Sequence, residues 1–331
     1  MNIVFATSNL YSRPALITIK TLLMNNTKVD DINIYYVENG VSDENKKLIS
    51  ELVESYERNI TFIPMPEEYS KIEGLMRTNA IVYSYCYFQD ILPQTVEKVI
   101  LLEGDSIVTD DLTEMYSVDL DGYYLGAADD LQSKWYKRKL GMKDDSVYFN
   151  CGIMVLNLKK MREDNISEKI TRIIERGDSK FFYEVQDELN VLMEGQIKVL
   201  PPRFNCTTAI FLFDYKNMLR YRKPSTTCSL EAFEDGKRRP SVVHFTKNQI
   251  IQPRPWIEEC THPYKEYYEK AKAETAIADE KLWPANRKTA NKIAYLLYSK
   301  VSPGLVARML GGVHSYLYPM VLYRFMLRKA K

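Results

Sequence analysis

The 331-residue sequence lacks the features that define several large classes of protein. Its five cysteines are an odd number without a CxxC pair, which argues against a disulfide framework or zinc knuckle and predicts free thiols in a reducing compartment. The formal net charge is only +1, so the overall charge gives no case for a nucleic-acid partner. No uncharged apolar run reaches the roughly 20 residues that span a bilayer, and we expect no transmembrane helix.

Two further absences concern the first residues of the chain. The strand-like segment NIVFAT starts the sequence without a basic region and a long apolar segment, so we expect no secretory signal and a cytoplasmic protein. The following segment, ATSNLYSRP, contains no glycine-rich phosphate loop, which argues against a nucleotide-sugar pyrophosphorylase. The 45% hydrophobic and 27% charged residues are typical of a soluble globular protein.

The first half of the chain alternates short apolar runs with segments of helical length. This alternation predicts an α/β fold with a doubly wound, mostly parallel sheet. From about residue 265 the composition changes to Lys-, Tyr- and Ala-rich helical patterns, so we expect a domain over 1–264 and a helical extension over 265–331. The predicted strands cover 2–7, 32–37, 60–65, 98–102, 123–128, 152–158, 197–201 and 241–245, and the longer predicted helices cover 14–24, 41–57, 76–92, 159–176 and 183–193.

Two carboxylates separated by one glycine, Glu103-Gly104-Asp105, directly follow the apolar strand KVILL. In parallel sheets, ligands bind beyond the carboxyl ends of the strands, so the architecture alone predicts a site here. Such a pair can bind a hard divalent cation that neutralises a diphosphate, and the glycine lets the backbone approach a ligand. The alternative is an acidic turn without a metal ion.

A histidine at the end of a later strand is the candidate for a third ligand. His244 ends the strand-like segment SVVHF, and an imidazole beside two carboxylates suits Mn²⁺, which accepts mixed nitrogen and oxygen ligands. The alternative is a structural histidine with satisfied hydrogen bonds. His262 and His314 have no comparable context, and we interpret both as structural.

Several segments along roughly residues 1–260 occur in an order that matches a known family. They are NIVFATSNLY, LPQTVEKVILLEGDSIVTDDL, LGAADD, YFNCGIMVLNLKKMR, QDELN and VVHF followed by PW. In this order they resemble glycosyltransferase family 8, the retaining group that includes bacterial lipopolysaccharide galactosyl- and glucosyltransferases and glycogenin. The resemblance implies a GT-A fold, a UDP-sugar donor, Mn²⁺ or Mg²⁺ at the diphosphate, and hexose transfer to a cell-envelope glycan or lipid-linked saccharide.

The resemblance also implies roles for individual residues. Gln186 would lie beneath the anomeric carbon and stabilise positive charge through its carbonyl oxygen, while Asp130 would orient sugar hydroxyls and the acceptor would attack from the face that UDP leaves. The implied metal ligands are Glu103, Asp105 and His244; the implied sugar-facing residues are Asp129 or Asp130, Asn150, Gln186 and Asp187; the implied residues for the rest of the donor are Ala6, Thr7, Asn9, Tyr11 and Gly104. Lys247 and Arg254 lie in a segment that departs from the family pattern, and they are the candidates for the positive charge at the diphosphate.

Structural alternatives and departures from the family pattern leave two interpretations open. Asn150 and its neighbours can form a turn before a strand, and Gln186-Asp187 can cap a helix. Because the sequence departs from the family pattern at several positions, the chain is either an active enzyme with altered donor preference or a catalytically weak or inactive sugar-nucleotide-binding scaffold. The departures are Glu103 in place of Asp, Ser8, Leu10, Cys86 in place of an arginine (with Arg77 in a different register), Val185, and a 244–256 segment without glycine.

The last 49 residues mix Arg and Lys with Tyr, Leu, Met and Phe. This composition predicts an amphipathic surface that lies on anionic lipid, and hence a peripheral position on the inner face of the cytoplasmic membrane. The alternative is a helix that packs on the core or on a second subunit of a homo-oligomer.

Overall fold

The computed structural model describes residues 1–70, 80–176, 181–247, 254–285 and 289–321. The strands within these ranges are short, and the central ones are apolar and largely buried. They are β1 (Asn2–Ser8), β2 (Asn33–Asn39), β3 (Asn59–Pro64), β4 (Lys98–Leu102), β5 (Ser106–Val108), β6 (Leu125–Asp129), β7 (Phe149–Asn157), β8 (Ile197–Leu200), β9 (Cys206–Thr207) and β10 (Val242–His244).

The helices follow the strands in alternation through the first half and dominate the last third. Short 3-10 segments cover Asn9–Tyr11, Ala80–Cys86 and Pro202–Asn205. The α-helices are α1 (Ser12–Asn25), α2 (Asp43–Glu54), α3 (Glu67–Ser70), α4 (Phe88–Ile91), α5 (Thr113–Ser117), α6 (Lys134–Leu140), α7 (Leu158–Glu163), α8 (Ile166–Glu175), α9 (Val185–Leu192), α10 (Thr208–Leu212), α11 (Tyr215–Arg222), α12 (Leu230–Arg238), α13 (Lys265–Ala273), α14 (Thr289–Lys300) and α15 (Pro303–Gly312), followed by a π-helical turn, Val313–Leu317.

Contacts divide the chain into two compact units. The first unit comprises Met1–Ala128 and Phe149–Leu200, and the second comprises Asp129–Tyr148 and the chain from Pro201 onward.

The first unit is built on a seven-stranded sheet in the order β3-β2-β1-β4-β7-β6-β8. Strand β1 pairs in parallel with β2 and with β4, where Ile3 faces Ile100 and Val4 faces Leu101, whereas β7 runs antiparallel to β4. The central strands are apolar on both faces, as expected of strands covered by helices on both sides. The predicted mixed, mostly parallel α/β sheet is confirmed.

Three predicted elements differ in the structure. The helix predicted over 159–176 is interrupted at Asn165, whose left-handed backbone (φ 51°) separates α7 from α8 and is tolerated well by asparagine. The part of the predicted 76–92 helix that lies within the described residues is a 3-10 segment followed by the single turn α4. Strand β7 begins at Phe149, three residues before its predicted start.

The second unit combines a short parallel pair of strands with helices. His244 of β10 faces Thr207 of β9 in this pair. Its apolar core includes Phe213, Phe233 and Val306, so α15 contributes to the same core as α10 to α12. Of the helices that the structure describes, none combines the length and apolar character needed to cross a membrane.

Candidate active site

The first feature of the site is a pair of carboxylates between β4 and β5. A carboxylate oxygen of Glu103 and one of Asp105 lie within 4.8 Å of each other, and Asp105 is largely buried. Two anions this close in a partly desolvated position repel each other, and a divalent cation with oxygen ligands relieves that repulsion. The strand end therefore has the donor set of a hard-metal site.

Packing against α1 and β1 explains the glycine between the two acids. A Cβ atom at Gly104 would lie 3.0 Å from Cβ of Ala15 and 3.1 Å from Cγ2 of Thr7. The Thr18 hydroxyl donates to the Ser106 carbonyl oxygen at 2.7 Å, which fixes the segment that follows the acids. Gly104 thus brings the acid pair close to the carboxyl end of β1, where Ala6 and Thr7 lie.

Glu103, the residue one methylene longer than the family pattern, is anchored by a tyrosine. The Tyr85 hydroxyl donates to Oε1 of Glu103 at 3.0 Å. Burial, followed by the charge of Glu103, raises the pKa of Tyr85 well above its usual value, so the phenol keeps its proton and remains a donor. This bond determines the direction in which the longer side chain points. No sequence pattern indicated Tyr85.

His244 belongs to the second unit, where it ends β10 and is almost fully buried. Its Nδ1 lies 3.1 Å from Oδ1 of Asn205, which accepts a hydrogen bond when Nδ1 carries the proton. The lone pair of the neutral ring is then on Nε2, the arrangement that is typical of metal-ligating histidines with a carbonyl partner.

Gln186 and Asn150 form the second polar feature of the first unit. The Asn150 side-chain amide donates to Oε1 of Gln186 at 3.1 Å, and the backbone N–H of Cys151 donates to the same oxygen at 3.3 Å. Asn150 lies within β7, so the turn that we considered for this segment does not form. The two bonds fix the position of the Gln186 carbonyl oxygen.

Asp187, the neighbour of Gln186 on α9, is fully buried. Its Oδ2 accepts hydrogen bonds from the backbone N–H groups of Phe182 at 2.7 Å and Tyr183 at 2.9 Å. The carboxylate therefore ties the chain before α9 to the first turn of the helix, which is the role that the capping interpretation predicts.

Asp129 and Asp130, both in the second unit, have different surroundings. Asp129 accepts hydrogen bonds from the Thr226 hydroxyl at 2.7 Å and from the backbone N–H of Leu131 at 2.8 Å. Burial outweighs these bonds and the charge of Lys137, and it raises the pKa of Asp129 to about 6. Asp130 instead forms an ion pair with Arg222.

The residues implied for the nucleotide lie at the end of β1 and in the turn after it. The Thr7 hydroxyl is hydrogen-bonded to the Tyr36 hydroxyl, and Asn9 uses its side-chain oxygen to accept from the backbone N–H of Ser42 at 3.0 Å and from the Asn45 amide at 2.7 Å. The Asn9 side chain thus holds the start of α2, and Tyr11 is half-buried in the 3-10 turn.

The two candidate cations for the diphosphate, Lys247 and Arg254, belong to the second unit. Lys247 is exposed, whereas the Arg254 guanidinium stacks on Trp256 at 5.8 Å from the ring centroid. The stacking gives Arg254 a defined direction, while Lys247 supplies a charge on a long side chain.

Comparisons with known sequences identify the family. The profile described as "Glycosyl transferase family 8" matches residues 2–260. A putative glycosyltransferase of Haemophilus influenzae is 30% identical over 281 residues, which cover 82% of this chain and 83% of the relative. A lipopolysaccharide 1,2-glucosyltransferase of Escherichia coli K12 is 23% identical over 279 residues, which cover 82% of this chain and 77% of the relative.

The fold agrees with a solved structure of the galactosyltransferase LgtC in complex with donor and acceptor sugar analogs. The two share 24% identity and superpose with a TM-score of 0.72 over 85% of this chain and 98% of LgtC. The similarity shows that the sheet has the arrangement of a GT-A fold. With the family match over residues 2–260, it follows that the chain belongs to glycosyltransferase family 8.

Proposed function

We propose that this chain is a metal-dependent retaining hexosyltransferase that moves galactose or glucose from a UDP-sugar to a cell-envelope glycan or lipid-linked saccharide. The observation that carries the proposal is the Glu103 and Asp105 carboxylate pair at the carboxyl end of β4, beside the end of β1. The names of two similar proteins, a lipopolysaccharide glucosyltransferase and a galactosyltransferase, support the substrate class. Residues 1–264 form the catalytic domain in this proposal.

Glu103, Asp105 and His244 are the proposed metal ligands. Two carboxylates and one imidazole suit Mn²⁺, and Mg²⁺ is the other cation that carboxylates favour. The hydrogen bond from Tyr85 orients the carboxylate of Glu103, and the hydrogen bond with Asn205 orients the imidazole of His244. When bound, the cation stabilises the negative charge of the departing UDP.

Gln186 is the proposed catalytic residue at the sugar. Its amide is too weak a nucleophile to form a covalent glycosyl intermediate, so the acceptor hydroxyl attacks the anomeric carbon from the face that UDP leaves and gives its proton to the departing diphosphate. The Asn150 and Cys151 donors hold the Gln186 carbonyl oxygen in one place. A fixed oxygen dipole stabilises developing positive charge without reorganisation during the reaction.

The remaining proposed contacts follow the parts of the donor. Backbone atoms at the end of β1 bind the base and ribose, cationic side chains bind the diphosphate, and acidic side chains bind sugar hydroxyls. The proposed residues are Ala6, Thr7, Asn9, Tyr11 and Gly104 for the nucleoside, Lys247 and Arg254 for the diphosphate, and Asp129, Asp130, Asn150 and Asp187 for the sugar.

Donor hydrolysis and UDP calorimetry test the proposal. The wild-type chain is expected to bind UDP more tightly with Mn²⁺ and to hydrolyse UDP-glucose or UDP-galactose. Gln186→Ala is expected to lower the hydrolysis rate about 10- to 100-fold, because it removes one preorganised dipole, while UDP affinity stays within about two-fold. Gln196→Ala, at an exposed position beyond the same helix, is the matched control.

The two alternatives give different results in this assay. Metal-enhanced UDP binding without hydrolysis of any UDP-hexose would favour the inactive sugar-nucleotide-binding scaffold. No metal-enhanced UDP binding would overturn the metal-dependent transferase itself.

The C-terminal extension over 265–331 is the proposed contact with the inner face of the cytoplasmic membrane. Residues 281–331 contain ten Lys or Arg residues and no Asp or Glu, whereas residues 1–280 contain 35 and 44. Five apolar side chains spaced four residues apart are each between 46% and 61% exposed, and this set is called the exposed stripe. It consists of Leu305, Met309, Val313, Leu317 and Val321.

The opposite face of the same segment packs inward, because Val306, Ala307, Gly311 and Ser315 are buried. A helix with an apolar outer face, in a segment whose charged residues are all Lys or Arg, matches an anionic lipid surface, in which apolar side chains enter the interface and cations contact head groups. A second copy of the chain on the exposed stripe is the competing occupant.

Vesicle sedimentation tests this contact. The wild-type chain is expected to bind vesicles that contain phosphatidylglycerol and not vesicles of phosphatidylcholine alone. Met309→Asp is expected to weaken binding about 10- to 100-fold, because it removes about 2 kcal/mol of apolar burial and adds a charge of the wrong sign. Val199→Asp, at an exposed apolar position on β8, is the control. A dimer in sedimentation equilibrium that Met309→Asp dissociates, without lipid binding, would contradict the membrane proposal.

A further inference from the structure

The ion pair between Asp130 and Arg222 is nearly removed from solvent. Nη2 of Arg222 lies 3.2 Å from Oδ1 of Asp130, and the two side chains are 15% and 9% exposed. The Gln132 amide donates to the other carboxylate oxygen at 3.1 Å. Both oxygens of Asp130 are therefore directed by neighbours, and a charge-assisted bond at this depth constrains the side chain more than one in water.

The loop that carries Asp130 is held in a strained conformation. Leu131 has a left-handed backbone (φ 55°) although it has a branched side chain and is buried. Such a conformation is unfavourable for a residue with a side chain and persists only where the surroundings impose it. The bonds from Arg222 and Gln132 to Asp130, and from Thr226 to Asp129, are the surroundings that do so.

Arg222 is placed by the end of its helix. It is the last residue of α11, and Lys223 follows with a left-handed backbone that stops the helix. A cation is favoured at a helix carboxyl terminus. The guanidinium also lies over the Tyr221 ring at 5.6 Å from the centroid, which limits its rotamers.

The segment Gly311–Ser315 contacts the helix that carries Arg222 and the loop that carries Asp130. A Cβ atom at Gly311 would lie 2.2 Å from the Arg220 carbonyl oxygen, so α15 and the end of α11 are in backbone contact. The Ser315 hydroxyl donates to the Tyr221 carbonyl oxygen at 2.8 Å, and the Ser133 hydroxyl donates to the Ser315 carbonyl oxygen at 2.7 Å. Gly311 and Ser315 thus connect the helix of Arg222 with the loop of Asp130.

We propose that Arg222 is a positioning residue for Asp130, and that the segment Gly311–Ser315 holds Arg222 and the Asp130 loop together in the conformation that binds the donor sugar. The inference rests on the proposed function, in which Asp130 contacts sugar hydroxyls. It assigns to the C-terminal extension a role in the sugar site that is separate from any contact with lipid.

The positioning role of Arg222 is tested by comparing UDP with a UDP-sugar, because only the UDP-sugar carries the sugar that Asp130 binds in the proposed function. Arg222→Gln is expected to lower kcat/KM for donor hydrolysis about 10- to 100-fold, while the Kd of UDP with Mn²⁺ changes less than two-fold. Arg222→Lys retains the charge but lacks the planar guanidinium, and its kcat/KM is expected to be at least about three-fold higher than that of Arg222→Gln. Arg220→Gln, on the same helix but bonded to Asn217, is expected to behave as wild type.

Two adjacent glycines test the contribution of the C-terminal segment. Gly311→Ala forces a Cβ atom into the Arg220 and Tyr221 carbonyl oxygens, whereas a Cβ atom at Gly312 meets nothing within 4 Å. Gly311→Ala is expected to reproduce the loss in kcat/KM at about 3- to 10-fold with UDP affinity retained, and Gly312→Ala is expected to change neither. Ser315→Ala, which removes the bond to Tyr221, is the second variant if Gly311→Ala does not fold.

Each outcome of these measurements has one meaning. Wild-type kinetics in Arg222→Gln would overturn the positioning role, and wild-type kinetics in both Gly311→Ala and Ser315→Ala would overturn the role of the C-terminal segment. Equal loss of UDP and UDP-sugar affinity in Arg222→Gln would also contradict the proposal, since Asp130 would then act on the nucleotide. A wild-type chain that fails to bind UDP overturns the proposed function as well.

Discussion

Replacing Asp105 by asparagine is expected to reduce metal-dependent hydrolysis of a UDP-sugar by about 10²- to 10³-fold or more. The substitution keeps the size of the side chain and removes the charge that a hard cation requires. Asp105 is largely buried in a short segment between β4 and β5, and α1 fixes that segment through the Thr18 bond to the Ser106 carbonyl oxygen. The chain therefore has little freedom to bring another carboxylate to this position.

Mn²⁺ affinity, measured by electron paramagnetic resonance of free and bound ion, provides a readout that does not depend on turnover. Asp105→Asn is expected to weaken Mn²⁺ binding in the presence of UDP at least about ten-fold, in parallel with the loss of rate. Asp121→Asn, at an exposed turn before β6, is the control for a change in total charge. Unchanged Mn²⁺ affinity together with unchanged rate in Asp105→Asn would refute the metal site.

The sequence was sufficient to predict the sheet and the location of the acid pair. Buried parallel strands are apolar on both faces, and this pattern made KVILL recognisable as a central strand. The rule that ligands bind at the carboxyl ends of such strands then located Glu103 and Asp105 without any knowledge of the contacts. The structure brings their carboxylates together at that strand end.

The partners of the site residues could not be predicted, because they are distant in sequence and follow no period. Asn150 and Gln186 are separated by 36 residues, and Asp130 and Arg222 by 92. The sequence around Asn150 is that of an ordinary strand, and the sequence around Arg222 is that of an ordinary helix. Only the resemblance to a family indicated Asn150, and nothing indicated Arg222.

Local backbone chemistry explains other differences between expectation and structure. A Cβ atom at Gly104 would lie 3.0 Å from Cβ of Ala15 and 3.1 Å from Cγ2 of Thr7, a packing reason for this glycine that the sequence does not indicate beside close approach of a ligand. The helical pattern over 159–176 continues in apolar periodicity, but Asn165 adopts a left-handed backbone that a helix cannot contain. Periodicity detects the face that is buried, and it does not detect a single residue with an unusual φ angle.

Glu188, two residues from Gln186 on α9, leads to the second prediction with a large effect. The side chain is 2% exposed, and among the described residues its Oε2 has no hydrogen-bond partner. Burial, followed by the charges of Glu184 and Asp187, raises the pKa of Glu188 to about 8. The folded chain therefore keeps this carboxyl protonated at neutral pH, whereas the unfolded chain ionises it near pH 4.5.

The sign of the pH dependence follows from this difference. Between about pH 4.5 and pH 8 the unfolded state releases a proton that the folded state retains, so the free energy of unfolding falls as pH rises. With about 1.4 kcal/mol per pKa unit, ionisation of Glu188 lowers the free energy of unfolding by a total of the order of 3–5 kcal/mol. This loss is complete above pH 8 and absent below pH 4.5.

Glu188→Gln is expected to remove this loss. The amide has a similar shape and no ionisation, so the variant and the wild type should have similar free energies of unfolding at pH 4.5 to 5, and the variant should be more stable by about 2–5 kcal/mol at pH 8.5. Urea unfolding at both pH values measures the difference, with Glu54→Gln on the exposed face of α2 as the control. An equal difference at both pH values would contradict a titrating Glu188.

Because Glu188 is only two residues from the proposed catalytic Gln186 on the same helix, a stabilised variant with reduced donor hydrolysis would show that the buried acid is retained for function rather than for folding.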